Sequence, residues 1–192
     1  MHTDLAIINA TIKGRRSIYT DSFIDKEIAD ADIWQILENA NYAPTHKLTQ
    51  PWRFTVFRKA ARQRLGEELA RIYKEHTPPD KFLAKKYESF PHKMQQANTI
   101  IAINIHFHED KVPASEEIAA VACAVQNMML TAHAMGIGSY WGTPGPIKHL
   151  GDFLQLNEHE KCHGLLFLGH HQAEISAVKR DPIAEKVKWL EQ

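Results

Sequence analysis

The segment from Glu116 to Met135 limits the fold more than any other part of this chain. Its apolar residues cover most of the circumference of a helix, and Gly136 follows at the position where glycine usually ends one. A helix that is apolar on nearly every side is expected to be buried on nearly every side. Small residues along it would let a second helix approach closely, which predicts a subunit interface. The apolar positions are Ile118, Ala119, Val121, Ala122, Ala124, Val125, Met128, Met129 and Leu130.

Charge and polarity argue against a membrane or nucleic-acid partner. The 192 residues contain 23 lysines and arginines and 23 aspartates and glutamates, so the net charge is zero and no basic block is present. Proteins that grip duplex nucleic acid usually carry a basic excess. Within the apolar helix, Glu116, Glu117, Gln126, Asn127 and His133 leave too short an apolar stretch to span a bilayer.

The cysteines and the amino terminus indicate the compartment. Cys123 and Cys162 lie far apart and form no CxxC motif, which favours a reducing compartment. His2 and Asp4 interrupt the start of the chain, where a signal peptide would need a charged region followed by an apolar one. We therefore expect a soluble cytoplasmic protein.

The order of predicted elements indicates a mixed α and β fold in one domain over residues 1–192. The strands do not alternate regularly with single helices, and there is no GxGxxG after the first strand and no Walker loop, so neither common nucleotide-binding fold is expected. Residues 80–97 are charged and predict a helical excursion over the core, with a break at Pro91. Further helices are predicted at 4–13, 26–42, 60–76 and 147–156, and strands at 52–57, 99–107, 139–143 and 162–168.

The sequence Gly14-Arg15-Arg16-Ser17 is a candidate phosphate site. Arginine presents planar donors that match phosphate oxygens and stays charged at any working pH. The Ser17 hydroxyl and backbone N–H groups could complete the shell. The alternative is a solvated patch at the end of a helix, where cations offset the helix dipole.

The loop from Ala43 to Trp52 is a candidate binding loop for a planar ring. Thr45 and His46, with Lys47, Thr49 and Gln50, place polar groups between a buried helix and a strand. Such groups can recognise the edge of a heterocycle. The alternative is an exposed polar connection.

A third candidate is the stretch Gly138 to Thr143, which holds Tyr140, Trp141 and Gly142. Two adjacent aromatic residues between glycines could flank a ring system, because glycine lets backbone amides come close. The alternative is that Tyr140 and Trp141 are core residues on opposite faces of a strand.

Other chemistry is weakly supported. His106 and His108 would share one strand face and could share a metal, and His159 and His163 have helical spacing, but no HExxH or CxxC accompanies them. Surface or core histidines are the alternative, and we expect no metal. No nucleophile elbow is present, so we name no catalytic residue.

Taken together and in order, these segments resemble the nitroreductase family over nearly the whole chain, most closely its small single-domain bacterial members. The family resemblance implies an α+β fold with a central, mainly antiparallel sheet flanked by helices. It also implies an intertwined homodimer with two FMN sites at the subunit interface. The cofactor-binding positions implied are Arg15, Arg16, Ser17, Thr45, His46, Tyr140, Trp141, Gly142, Lys179 and Arg180.

The resemblance also implies an activity. NADH or NADPH would reduce FMN, and a nitroaromatic, quinone or similar small-molecule acceptor would then take two electrons at the same face, in a ping-pong order. One departure is Tyr19, at a place where many members carry a lysine near the flavin; Lys47 or Arg53 could supply the missing charge. Alternatives that stay open are a non-catalytic FMN-binding carrier or sensor dimer and a relative that consumes flavin.

Overall fold

The computed structural model describes residues 3–176 and 178–191, which form six α-helices and four β-strands. The elements are α1 (Thr3–Gly14), α2 (Asp30–Ala40), β1 (Trp52–Phe57), α3 (Ala60–His76), α4 (Ala84–Gln96), β2 (Thr99–His106), α5 (Ala114–Ala134), β3 (Ile137–Gly142), α6 (Gly151–Leu154) and β4 (Glu160–His170).

One four-stranded sheet, in the order β1-β2-β4-β3, forms the centre of the structure. Each neighbouring pair is antiparallel, which confirms the predicted α+β architecture with an antiparallel sheet. Strand β2 is buried along its length apart from its last residue, His106, as expected for a strand in the middle of a sheet. Between Ile103 and Asn104 the register with β4 shifts at a bulge.

Helices cover both faces of the sheet. Because side chains alternate along a strand, Ile101 and Ile103 of β2 pack with α2 and α5 on one face, whereas Ile100 and Ala102 pack with α3 and α4 on the other. The two hydrophobic clusters therefore share the sheet as their common wall. The edge of the sheet formed by β3 positions the first candidate site, the segment Arg15–Ser17.

Helix α5 corrects the expectation of burial on nearly every side. Its inner face is buried against α2 and the sheet, but Ile118, Ala119, Cys123 and Gln126 are exposed on the opposite face. One chain supplies covering elements for only one side of the helix. No helix in the described part of the chain is long and apolar enough to cross a membrane.

Helix α4 continues through Pro91, so the predicted break is wrong. Residues 80–97 are also less peripheral than expected, because Phe90 and Met94 are buried against α3. The two helices cross at Gly66, where a Cβ atom would lie 2.6 Å from Pro91 Cα. Glycine at this position allows the proline-containing turn to approach the neighbouring backbone.

Candidate functional site

The segment Arg15–Ser17 runs beside the edge strand β3. Helix α1 ends at Gly14, and Ser17 then forms a parallel bridge with Ser139. The Ile18 backbone N–H donates to the Ser139 carbonyl at 3.1 Å. The segment is thus held as a short extension of the sheet.

The two arginines of this segment have different environments. Arg16 donates to the carbonyls of Lys13 at 2.7 Å, Arg15 at 2.8 Å and Ser176 at 3.2 Å, so its guanidinium ties α1 to the carboxyl-terminal tail. The Nη1 atom of Arg15 is buried and has no hydrogen-bond partner among the described residues. Neither arginine forms an ion pair in the part of the chain that the structure describes. Arg15 is therefore the arginine available to an anion.

Two histidines that the sequence prediction did not include complete a basic cluster with the two arginines. Burial lowers the pKa of His133, and the nearby charges of Arg15, Arg16 and His171 lower it further. The Nδ1 atom of His171 is buried without a partner among the described residues. The sequence shows His170-His171 as one of its few tight histidine groups, but nothing in the pattern links it to Arg15.

The structure places Tyr140 and Trp141 in the core, on opposite faces of β3. Tyr140 is 4% exposed and stacks on Phe167 with the ring centroids 4.5 Å apart. Burial raises the pKa of its phenol. The Trp141 ring packs with the cluster under α5 and lies against the backbone of Gly164. Both side chains thus pack against the protein, and what β3 offers at this edge is its backbone up to Gly142; the contact of Tyr140, Trp141 and Gly142 with a cofactor stays a prediction.

A groove of about 320 Å³ lies between α4 and the end of β3. Gly142 and Pro144 form one wall, and Lys86 and Lys93 are on the α4 side. The Lys93 ammonium lies 5.4 Å from the Tyr140 ring centroid, within cation–π range. Gly142 therefore lies on the wall of this groove.

The loop that contains Thr45 and His46 has an unusual backbone. Lys47, Leu48 and Gln50 have positive φ angles of 50°, 53° and 45°, which are uncommon for residues other than glycine. The Thr45 hydroxyl accepts the Gln50 N–H at 3.2 Å. Strained backbone persists only where the surrounding structure holds it in place, and it is found most often at ligand sites.

The loop and the Arg15 cluster lie at opposite ends of α5. His46 Nδ1 is 2.5 Å from Glu116 Oε2 in the first turn, whereas Gly14 contacts His133 in the last turn. Glu116 and His133 are almost five turns apart, roughly 26 Å at about 1.5 Å per residue. A single chain therefore does not bring Thr45 and His46 to Arg15.

The remaining predicted residues lie in the tail. Lys179 and Arg180 are exposed, and neither forms a hydrogen bond or ion pair with another described residue. They follow Ser176, whose carbonyl accepts from Arg16. The structure thus anchors the tail near the cluster without bringing these two side chains into contact with it.

Two of the histidines considered for metal binding, His106 and His108, are each paired with a carboxylate. His106 Nδ1 lies 3.4 Å from Glu160, and His108 Nδ1 lies 2.8 Å from Glu117. Among residues 3–176 and 178–191, no group of three or more histidine, cysteine or acidic residues could hold a metal ion.

Comparison with known proteins gives one consistent family. The Nitroreductase family model matches residues 12–170. YfhC of Bacillus subtilis, whose name places it among the NAD(P)H nitroreductases, is 26% identical over 185 residues, covering 94% of this chain and 93% of its own. The crystal structure of a nitroreductase-like protein from Bacillus cereus matches with a TM-score of 0.85 at 24% identity over 96% of each chain. A nitroreductase-type structure from Desulfovibrio desulfuricans, in complex with FMN, matches with a TM-score of 0.70 at 26% identity over 97% of each chain. Because the family model covers most of the sequence, the chain belongs to the nitroreductase family.

Proposed function

We propose that this protein binds FMN and passes two electrons from NADH or NADPH to a small organic acceptor such as a nitroaromatic or a quinone. The observation that carries the proposal is the cluster of Arg15, Arg16, His133 and His171, which has buried, unpartnered nitrogens and no paired carboxylate among the described residues. A phosphate monoester suits such a cluster, because charge-assisted hydrogen bonds to phosphate are the strong ones. The FMN complex of the relative from Desulfovibrio desulfuricans supports the same ligand.

The edge of β3 supports an extended placement of this ligand. Ser17 pairs with Ser139, and Gly142 lies three residues further along the strand, roughly 10 Å at about 3.4 Å per residue. A ribityl chain has a similar length. We propose that Arg15 and Ser17 hold the phosphate end, and that the backbone of Trp141 and Gly142 lies beside the ring.

Bound FMN would supply the redox chemistry by accepting a hydride and releasing the electron pair. What the residues of this chain supply is binding, orientation and access. The positive charge of Arg15 would offset the negative charge of the phosphate. The groove between α4 and Gly142 admits one small molecule at a time. We propose that the nicotinamide and the acceptor use this groove in turn, which is a ping-pong order, and we assign no catalytic residue.

We also propose that the active form is a homodimer with sites shared between subunits. Each chain carries two half-sites roughly 26 Å apart along α5. If the α5 helices of two chains pack antiparallel about a two-fold axis, Thr45 and His46 of one chain approach Arg15 of the other. The exposed, small residues Ala119 and Cys123 on α5 would allow this close approach.

The amino-terminal helix and the tail support the same assembly. Helix α1 has no buried residue, and four of its apolar side chains are about half exposed or more. A 12-residue helix that buries none of its residues is marginal in water, so a partner surface would stabilise it. In the tail, Trp189 and Leu190 are 81% and 78% exposed. The apolar residues of α1 are Leu5, Ile7, Ile8 and Ile12.

The compartment that we propose is the cytoplasm. Cys123 and Cys162 are both free thiols in this structure. Free cysteines suit a reducing compartment.

Anaerobic reduction of the FMN-loaded protein tests the proposal. We expect NADH or NADPH to bleach the flavin absorbance, and a nitroaromatic or quinone to restore it. If FMN binds but neither nucleotide bleaches it, the oxidoreductase proposal fails and a carrier or sensor remains. If FMN does not bind, the cofactor assignment also fails.

A further inference from the structure

Two histidine rings border the proposed phosphate site, and two glycines make room for them. A Cβ atom on Gly14 would lie 2.8 Å from His133 Nε2, and one on Gly138 would lie 2.8 Å from His171 Cδ2. Real Cβ contacts are essentially never this short. The His133 ring therefore packs on the backbone of Gly14, next to Arg15. The His171 ring packs on the backbone of Gly138, next to Ser139, which pairs with Ser17.

The groups around these rings are basic. Arg15 and Arg16 approach from the segment after α1, and His171 approaches from the end of β4; these are the charged groups that act on His133. None of the four residues pairs with a carboxylate in the described part of the chain. Arg15 Nη1 and His171 Nδ1 are both buried and unpartnered there. Buried polar nitrogens without partners, beside repelling charges, are costly unless a ligand of opposite charge binds near them.

We propose that His133 and His171 are phosphate ligands and that His133 takes up a proton when FMN binds, so that the affinity for the cofactor falls as the pH rises. This inference rests on the proposed binding of FMN. It adds two ligands to the arginine site and makes retention of the cofactor sensitive to pH.

The direction of the effect follows from the charges. Burial and the neighbouring cations lower the pKa of His133 below its ordinary value, so this ring is neutral at neutral pH without ligand. A phosphate dianion within hydrogen-bond distance favours the protonated ring and raises its pKa. The extra affinity is complete below the pKa of the free protein and is lost as the pH rises through the pKa of the complex.

A pH series of the FMN dissociation constant, read from flavin fluorescence, tests the proposal. The series should run above about pH 7, because a phosphate monoester itself titrates near pH 6. We expect the dissociation constant to rise, by up to about tenfold per pH unit for each proton taken up. Riboflavin, which lacks the phosphate, should show no such slope. Calorimetry in two buffers of different ionisation enthalpy should show net proton uptake with FMN alone.

Substitutions assign the proton. H133Q should remove the slope, whereas H171Q should weaken FMN binding by removing a phosphate ligand. H163Q is the matched control: burial also lowers the pKa of His163, but this residue lies towards the other end of β4, so its variant should keep the original slope.

Three results would overturn the inference: an unchanged slope in H133Q, an equal slope with riboflavin, or FMN binding without proton uptake. If the variants fail to fold, as judged by circular dichroism, the comparison of FMN with riboflavin in the unaltered protein still decides. Failure to bind FMN at any pH would instead remove the proposed function itself.

Discussion

Arg15 and Arg16 are adjacent but differ in what their guanidinium groups can do. Arg16 already donates to three backbone carbonyls, including that of Ser176, so its removal would loosen the tail. Arg15 keeps a buried nitrogen without a partner among the described residues. The sequence could predict a phosphate site at this pair, because the residue types are sufficient for it. It could not divide the roles, since that division depends on where the tail passes.

Arg15→Ala should weaken FMN binding by about tenfold or more. One charge-assisted hydrogen bond contributes roughly 1.5–3 kcal/mol. Equilibrium dialysis or fluorescence titration measures the change. Arg71→Ala is the matched control, because Arg71 lies on α3 and, among the residues that the structure describes, forms ion pairs only with Glu68 and Glu75. Equal affinities in the two variants would rule out Arg15 as a phosphate ligand.

Tyr19 is the residue at which the family resemblance implied a lysine in many members. It is 59% exposed, and its ring centroid lies 5.0 Å from that of Tyr140. The cations suggested as substitutes are engaged elsewhere in the single chain: Lys47 donates to the Lys111 carbonyl, and Arg53 donates to the carbonyls of Gln50 and Trp52. A substitute charge would require these contacts to change.

A substitution at Gly164 tests how tightly the Trp141 ring of β3 is packed against β4. A Cβ atom there would overlap Trp141 Nε1, so Gly164→Ala should push the indole out of its place. We expect a loss of about 1–3 kcal/mol in the free energy of unfolding, as for other overpacked cores, measured by urea denaturation. Gly151→Ala is the control, because nothing lies within 4 Å of its added methyl, and it should change stability by less than about 0.5 kcal/mol. Equal stabilities would show that the Trp141 ring is not confined.

At the scale of elements, periodicity predicted which segments are helices and strands better than it predicted where they end. Helix α2 was expected from residue 26 but begins at Asp30. Tertiary hydrogen bonds explain the difference: the Ile28 N–H donates to Asn98 Oδ1 at 2.9 Å, and Arg58 Nη2 donates to the Ile28 carbonyl at 2.8 Å. These partners are distant in sequence, so no local pattern could indicate them.

The reactivity of the two cysteines tests whether the exposed face of α5 is covered in the assembled protein. Burial raises the pKa of Cys162 to about 11, so its thiol stays neutral and should react slowly with iodoacetamide near pH 8. Cys123 is exposed in one chain but would be covered in the proposed dimer. We expect Cys123 to be protected in the assembled protein and labelled after mild denaturation, as measured by mass spectrometry. Rapid labelling of Cys123 in concentrated native protein would argue against an interface on this face.

At the scale of the whole molecule, the predicted site divides into two halves that one chain holds apart. Arg15 and Ser17 lie at one end of α5, and Thr45 and His46 lie at the other. The sequence predicted both segments because each has distinctive residues. Their separation follows from the length of α5 between them, which only the assembled fold reveals. The apolar residues of α1 and α5 are exposed for a similar reason, because no element in the described part of a single chain covers them.

Native mass spectrometry of the gently purified protein tests the shared-site account most directly. The account predicts a dimer that carries two FMN molecules, and loss of the cofactor when the dimer is separated. A monomer that retains FMN, or a dimer that stays empty after incubation with excess FMN, would contradict it.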